Sequence, residues 1–389
     1  MTTVNANGPN GAGQRRNGSN GYHHDGRRIK IGVVGYGYWG PQIVRNLNEL
    51  PSARLTAVAD ARDDRLASIR QRYPGMKLYR SHVELLESDV EAVVIATPIH
   101  THHRLALDAI RAGKHVLIEK PLAASSIEAL ELMEVARKHK RVVMVGHTFI
   151  YNPAVQELRR LVRDGGLGNI YYVDAARLNL GLFQSRADVI WDLAPHDISI
   201  LMYVLGATPV QVSARGSRCV QDHIHDVAYL ELIFKSGVSA HVHVSWLDPA
   251  KVRRITVVGD RKMAVYNDVS LAEKIRIYDT GVGTPMTNSF GEFQMSYRHG
   301  EITIPYITWQ EPLRLECEHF VDCVRTGVEP RTDALQGLAV VSVLEAAGES
   351  LRQAGRRVPV TFPMQQPPAA SSRDRTQVAP GKWILAPAS

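Results

Sequence analysis

Between residues 29 and 147, short apolar, β-branched runs alternate with amphipathic stretches, and no other feature of the chain restricts its fold so tightly. "IKIGVVG" (29–35), "RLTAVAD" (54–60), "EAVVIAT" (91–97), "KHVLIEK" (114–120) and the "VVMVGH" that follows read as buried strands. "PQIVRNLNEL" (41–50), "DDRLASIRQRY", "HRLALDAIRAG" and "SIEALELMEVARKHK" read as the helices between them. Alternation at this spacing predicts a parallel sheet covered on both faces.

Beyond about residue 150 the pattern changes. A helix (153–164) leads to the strand "IYYVDAARLNL", a second helix (193–205) and several long alternating strands, "VQVSARGSRC", "DVAYLELIF", "VSAHVHVSW" and "VRRITVVGD". Strands that follow one another without helices predict an antiparallel sheet, and "IFKSGVSA" reads as a hairpin with "KSG" at its turn. Two helical segments, 312–326 and 333–354, close the fold.

The turn after the first strand, "VVGYGYWG", contains Gly35-x-Gly37-x-x-Gly40 between a buried strand and a helix, the context a dinucleotide-binding loop requires. Gly35 permits the tight turn, Gly37 the close approach of backbone to a pyrophosphate, and Gly40 the packing of helix on strand. The diphosphate then sits at the positive end of the helix, with Tyr38 and Trp39 in the same loop. Asp60 ends the second strand, where an acid accepts hydrogen bonds from the adenosine ribose. That acid favours NAD over NADP, although Arg62 nearby would partly reverse the preference. The fold class expected is an α/β N-terminal Rossmann domain plus an α+β C-terminal domain with a large open, mainly antiparallel sheet. Residues 29–149 form the NAD(P)-binding part and 150–361 the substrate-binding and oligomerisation part, with Gly/Asn/Ser-rich 1–28 and Pro-rich 362–389 as disordered tails.

"AGKHVLIEKPLA" (112–123) places Glu119, Lys120 and Pro121 at the carboxyl end of a parallel strand, where open α/β sheets bind ligands. A lysine there can polarise a carbonyl or share a proton with an alkoxide. With "GVVGYGYWG", "ATPIHTHH", "GNIYYVDA", "WDLAPHD", "EPLRLECEHFVDCVRTG" and "TDALQGLAVVSVLEAAGES", in order over residues 29 to 361, the chain resembles the Gfo/Idh/MocA oxidoreductases. The resemblance implies that Lys120 is the active-site lysine, with Asp192 and His196 completing the proton-handling site. It also implies that His102 lies near the nicotinamide and that Thr97 and Pro98 contact the cofactor through the backbone. Where many members carry Arg-Phe-x-Pro, this chain reads Ile150-Tyr151-Asn152-Pro153, so the substrate of sugar or inositol relatives does not transfer. "GYGYWGP", "GHTFIYNPAV" and "SWLDPAKVRR" resemble a branch associated with nucleotide-sugar dehydrogenation at C3.

In "WDLAPHDIS" (191–199) the acid and the imidazole stand about one helical turn apart, on one face. Asp192 reads as an N-cap with Pro195 inside the first turn. His196 is the expected base, Lys120 the stabiliser of the developing alkoxide, and Asp192 the group that orients the imidazole or meets the substrate hydroxyl. A helix N-terminus favours the neutral imidazole and a carboxylate favours the cation, so the net shift at His196 stays open. Arg177 would hold a diphosphate and Asn179 a sugar hydroxyl, or both belong to a solvated strand face or a local ion pair. Tyr151 and Asn152 carry the same two readings.

Three cysteines (Cys219, Cys317, Cys323) are too scattered for a disulfide framework, which suits a reducing compartment and a cytoplasmic enzyme. The spacing of "CEHFVDC" does not suit zinc, and "HTHH" (100–103) reads as a cofactor loop, so no metal is expected. The formal net charge of +7 owes four arginines (Arg15, Arg16, Arg27, Arg28) to the N-terminal tail, so nucleic acid is not an expected partner. Neither is a membrane, because no apolar run approaches a bilayer span and the N-terminus lacks the core of a signal peptide. The expected activity is NAD(P)-dependent oxidation or reduction of a sugar, most specifically a nucleotide sugar at C3. The alternatives are a cyclitol dehydrogenase and a catalytically silent sensor of the same fold. The resemblance also implies a homodimer or homotetramer, and His241 and His243 share a strand face that suits packing or an interface.

Overall fold

The computed structural model of the protein describes residues 27–185, 187–283 and 296–363. The first unit runs β1 (Ile29–Val34), α1 (Gly40–Glu49), β2 (Ala53–Ala59), α2 (Asp63–Arg72), β3 (Lys77–Tyr79), α3 (His82–Glu87), β4 (Ala92–Ile95), α4 (His102–Arg111), β5 (His115–Glu119), α5 (Ser126–His139) and β6 (Val143–Gly146). Its strands pair in the order β3-β2-β1-β4-β5-β6, every pair parallel. The order reverses between β1 and β4, which opens a crevice at the strands' carboxyl ends.

The second unit runs α6 (Pro153–Arg163), β7 (Ile170–Leu178), α7 (Val189–Leu205), β8 (Pro209–Ser217), β9 (Val227–Phe234), β10 (Ser239–Ser245), β11 (Val252–Gly259), β12 (Met263–Asn267), β13 (Ile275–Gly283), β14 (Ser296–Thr303), α8 (Pro312–Thr326), α9 (Ala334–Arg352) and β15 (Val358–Pro359). These strands form a nine-stranded sheet, ordered β14-β13-β12-β11-β7-β10-β9-β8-β15 and antiparallel except at β7–β10. Alternation along β9 and β10 buries Leu230, Leu232, Val242 and Val244 with α6, α7 and α9, and leaves Tyr229 and His241 on the open face. β14 has no buried residue at all, so it carries no apolar alternation to read in the sequence.

Several expectations change. Helix α7 begins at Val189, and Asp188 is its cap, accepting from the Trp191 N–H at 3.0 Å. Asp192 therefore lies inside the first turn, and Pro195 lies in the helix interior. Helix α8 follows the second sheet in sequence yet packs on the first: Leu313, Cys317, Phe320 and Val321 join the cluster of Ile31, Val33 and Ile43. Phe362, read as the start of a tail, packs against the cores of both units. At the other end Arg27 pairs with Glu91. The remainder of both tail readings lies outside the described residues. Helix α9 is long and apolar enough to cross a membrane, but most of it is buried between the two units, as a core helix is.

Candidate active site

The loop after β1 is shaped by sterics. Gly35 has φ +99°, and a Cβ there would lie 2.5 Å from the Ala96 carbonyl oxygen; one on Gly40 would lie 2.6 Å from that of Gly35. A Cβ on Gly37 would meet nothing within 4 Å. Gly37 thus faces open space where α1 begins, and the loop fits a pyrophosphate drawn against its backbone. Asp60 directly follows β2 and braces this loop: its carboxylate accepts from the Tyr36 N–H at 2.7 Å and the Arg62 N–H at 2.9 Å. Carboxylate oxygens have further lone pairs, so a ribose hydroxyl can still be accepted there. Arg62 forks onto Asp64 (3.0 and 2.7 Å), so its guanidinium is already engaged. Tyr38 is exposed at the loop's tip, and Trp39 turns toward the cleft described below.

After β4, the Thr97 and Thr101 hydroxyls meet at 2.6 Å around Pro98. His102 behind them is buried, its Nδ1 2.9 Å from the Pro121 carbonyl and its Nε2 2.8 Å from that of Thr97. It joins the β4 loop to the β5 loop, bearing on the Thr97-Pro98 turn from behind its backbone. Burial pulls its pKa down, against the two carbonyls, which favour the protonated ring.

Lys120 leaves the end of β5 and reaches α7. Its Nζ donates to the Asp192 carbonyl at 2.5 Å and lies 3.5 Å from Asp192 Oδ1. Pro195 has no N–H to offer the Trp191 carbonyl four residues back, the carbonyl one position before the one that Lys120 meets. Asp192 Oδ2 accepts from Trp246 Nε1 at 3.0 Å. His196 Nδ1 is buried without a partner, so Asp192 orients the lysine and not the imidazole. Burial, then Lys120, Arg177, Arg253 and His147, hold His196 well below the ordinary imidazole range. The question left open by the sequence is decided by desolvation and flanking cations.

Around this centre lie groups the sequence reading passed over. His147 follows β6, and the β5–β6 register (Glu119 opposite Gly146) places it beside Lys120. Both its ring nitrogens are buried without partners, and burial with Lys120 nearby lowers its pKa to about 3. The strand-end rule that singled out Lys120 applies equally to His147. Glu119 is half-buried at the cleft, and loss of solvent pushes its pKa up to about 7. Glu316 on α8 is raised well above the carboxylate range by burial and by Glu119, and accepts from Thr148 Oγ1 at 2.7 Å.

Of the four expected substrate contacts, Arg177 and Tyr151 are placed otherwise, while Asn152 reaches the cleft. Arg177 is buried and forks onto Asp197 (2.7 and 3.1 Å), so the ion-pair reading describes it and no guanidinium face is left for a diphosphate. Tyr151 is buried with its hydroxyl 3.0 Å from Thr332 Oγ1, in the first unit's core and off the cleft. Asn152 caps α6 by accepting from the Ala154 N–H (2.9 Å), while its Nδ2 donates to Tyr266 Oη (3.0 Å) at the cleft wall. Asn179 stands beside Trp246, the two side chains flanking Gly181 at 3.2 and 3.0 Å from where its Cβ would lie.

A cleft of about 380 Å³ has Trp39, Glu119, Phe149, Asn152, His196 and Trp309 among its lining. Trp39 is 41% and Trp309 51% exposed, giving the mouth two aromatic faces, with Lys274 Nζ 4.8 Å from the Trp309 ring. Cys317 and Cys323 lie buried on α8, and no group of His, Cys, Asp and Glu suited to a metal occurs among the described residues.

Residues 29–147 match the Gfo/Idh/MocA oxidoreductase family, NAD-binding Rossmann fold, and residues 155–265 match the family's C-terminal domain. A UDP-N-acetylglucosamine 3-dehydrogenase of Acidithiobacillus ferrooxidans is 31% identical over 66% of this chain and 79% of its own length. A crystal structure of that bacterium's UDP-N-acetylglucosamine 3-dehydrogenase GnnA superposes with TM-score 0.71 at 26% identity, covering 84% of this chain and 99% of the other. A myo-inositol 2-dehydrogenase of Thermotoga maritima is 25% identical over 84% of this chain and 97% of its own.

Proposed function

The chain belongs to the Gfo/Idh/MocA family of NAD-binding oxidoreductases and is an NAD-dependent enzyme of sugars or cyclitols, and from this premise we propose that its substrate is a nucleotide sugar oxidised at C3. The observation that carries the proposal is the Lys120–Asp192 contact, close enough to act on the charge of His196, which itself lines a cleft with Trp39 and Trp309. When bound, NAD supplies the hydride acceptor. Neutral across the physiological range, His196 takes the carbinol proton. Lys120, held by the Asp192 carbonyl, places its remaining N–H groups toward the developing alkoxide. Trp246 fixes Asp192 and thereby the lysine. Trp39 and Trp309 suit the flat face of a base or the apolar face of a sugar ring. The same groups serve ketone reduction.

The cyclitol reading is favoured by one observation: Arg177 is paired with Asp197 and Arg253 with Asp268 (3.3 Å), so neither is an unengaged clamp for a diphosphate. Nicotinamide absorbance with UDP-N-acetylglucosamine and with myo-inositol, each offered with NAD, separates the two. Turnover of myo-inositol alone overturns the nucleotide-sugar proposal. Lys120→Ala and His196→Ala are each expected to lower kcat by about 10²-fold or more with NAD affinity kept. Near wild-type turnover in both removes them from the chemistry. We place the enzyme in the cytoplasm, where its free cysteines stay reduced, and the open face of the nine-stranded sheet against a second copy of the chain.

A further inference from the structure

We infer that Phe149 is a positioning residue for this reaction, one that keeps the imidazole of His196 dry and fixed in direction. The inference rests on the reading of His196 as the base. Catalytic imidazoles are commonly oriented by a carboxylate on the second ring nitrogen. Here no carboxylate does so. Asp192 is committed to Lys120 and Trp246, Asp197 to Arg177, and His196 Nδ1 has no partner.

What meets the imidazole is the Phe149 ring, edge-to-face at 5.1 Å between centroids and 76° between planes. Phe149 is itself held. Arg177 Cζ lies 4.5 Å and Arg253 Cζ 5.7 Å from its centroid, distances at which a guanidinium is attracted to an aromatic ring. Each guanidinium is anchored in turn, Arg177 on Asp197, the residue after His196, and Arg253 on Asp268. Asp268 also accepts from Tyr266 Oη at 3.0 Å and lies 3.3 Å from Asn152 Nδ2, three residues along from Phe149. The ring is therefore clamped from α7, β7, β11, β12 and its own turn.

The charged and titratable groups facing His196 are Lys120 from β5, His147 after β6, Arg177 from β7 and Arg253 from β11, with Asp192 and Asp197 on α7. Both acids are paired, so burial and the cations prevail. Removing Phe149 admits water and relieves the largest of these effects.

The test follows the His196 imidazole by NMR titration in Phe149→Ala, Phe149→Tyr and the wild type, beside the pH–rate profile. Phe149→Ala is expected to raise proton affinity at His196 by about tenfold or more, one pH unit. The acid limb of the rate profile should move up with it. Phe149→Tyr, which keeps the ring, should titrate as the wild type. An unshifted His196 in Phe149→Ala, or an equal shift in Phe149→Tyr, overturns the inference. The titration reads the imidazole whether or not it is the base. A shifted titration with an unmoved rate profile therefore counts against the base assignment and leaves the positioning intact.

Discussion

Glu119 is an acid that the fold keeps neutral far above its usual range. Its pKa of about 7 comes from burial, against the pull of Lys120. A carboxyl raised in the folded state contributes stability below its unfolded value, near 4.5, and that stability is lost as pH rises through 7. The wild type should lose on the order of 3 kcal/mol relative to Glu119→Gln across this window, read as denaturant midpoints at several pH values. Parallel curves for the two proteins would show that Glu119 is not buried as described. His147 works in the opposite sense: its lowered pKa gives stability that is present above about 6.5 and fades as pH falls toward 3. Comparison with the variant, rather than the raw curve, isolates Glu119. Lys120 at a strand end and the one-turn spacing of Asp192 and His196 were visible in the sequence, and the family resemblance supplied the roles expected of them. His147, Glu316 and Phe149 were not, because their meaning depends on neighbours far away in sequence.

Among the elements, the loop between β1 and α1 separates sterics from binding. Gly37→Ala places its Cβ in open space and should melt like the wild type, yet bind NAD at least about tenfold more weakly, because the methyl stands where the pyrophosphate approaches. Gly35→Ala should unfold earlier, since its φ of +99° and the Ala96 carbonyl exclude a side chain. Titration calorimetry with NAD and a thermal melt check both, and undiminished affinity in Gly37→Ala would refute the pyrophosphate placement. Helix α7 poses a different trade. Pro195→Ala restores an N–H to the Trp191 carbonyl and should stabilise the protein by about 1–3 kcal/mol. It should also slow turnover, because the tightened turn draws the Asp192 carbonyl away from Lys120. A more stable and equally fast variant would show the proline to be incidental. Most of the first unit's strands and helices were legible from apolar periodicity because strands such as β1 and β4 are buried on both faces, whereas β3 and α3, three and six residues long, are too short to show a period and were not read. The start of α7 was misread because Asp188 and Asp192 are equally good caps by composition, and only backbone geometry chooses between them.

At the scale of the molecule, the two units share α8 and α9, and the cleft is lined from both. Glu311, beside Trp309, accepts from Arg45 of α1 at 2.5 Å and from Asn46, fixing the cleft's lip to the dinucleotide-binding unit. The open face of the large sheet carries Tyr229 stacked on His243 at 4.2 Å, with Asp174, Glu231, His241 and Arg254 around them. If a second copy covers this face, the wild type elutes as a dimer or larger species, and Tyr229→Asp with His243→Asp shifts it to the monomer while NAD binding is kept. A wild-type monomer by light scattering would remove the proposal.

The chain's own order determined the doubly wound sheet, the glycine loop, the acid after β2 and the lysine at a strand end, because each follows from local periodicity or from a steric demand within a few residues. Tertiary structure alone decided which groups Asp192 orients, that Arg177 is spent on Asp197, that Tyr151 turns into the core, and that the Phe149 ring stands edge-to-face against His196. These depend on contacts between elements, where burial and the competition of several charges for one partner outweigh what any residue's type foretells.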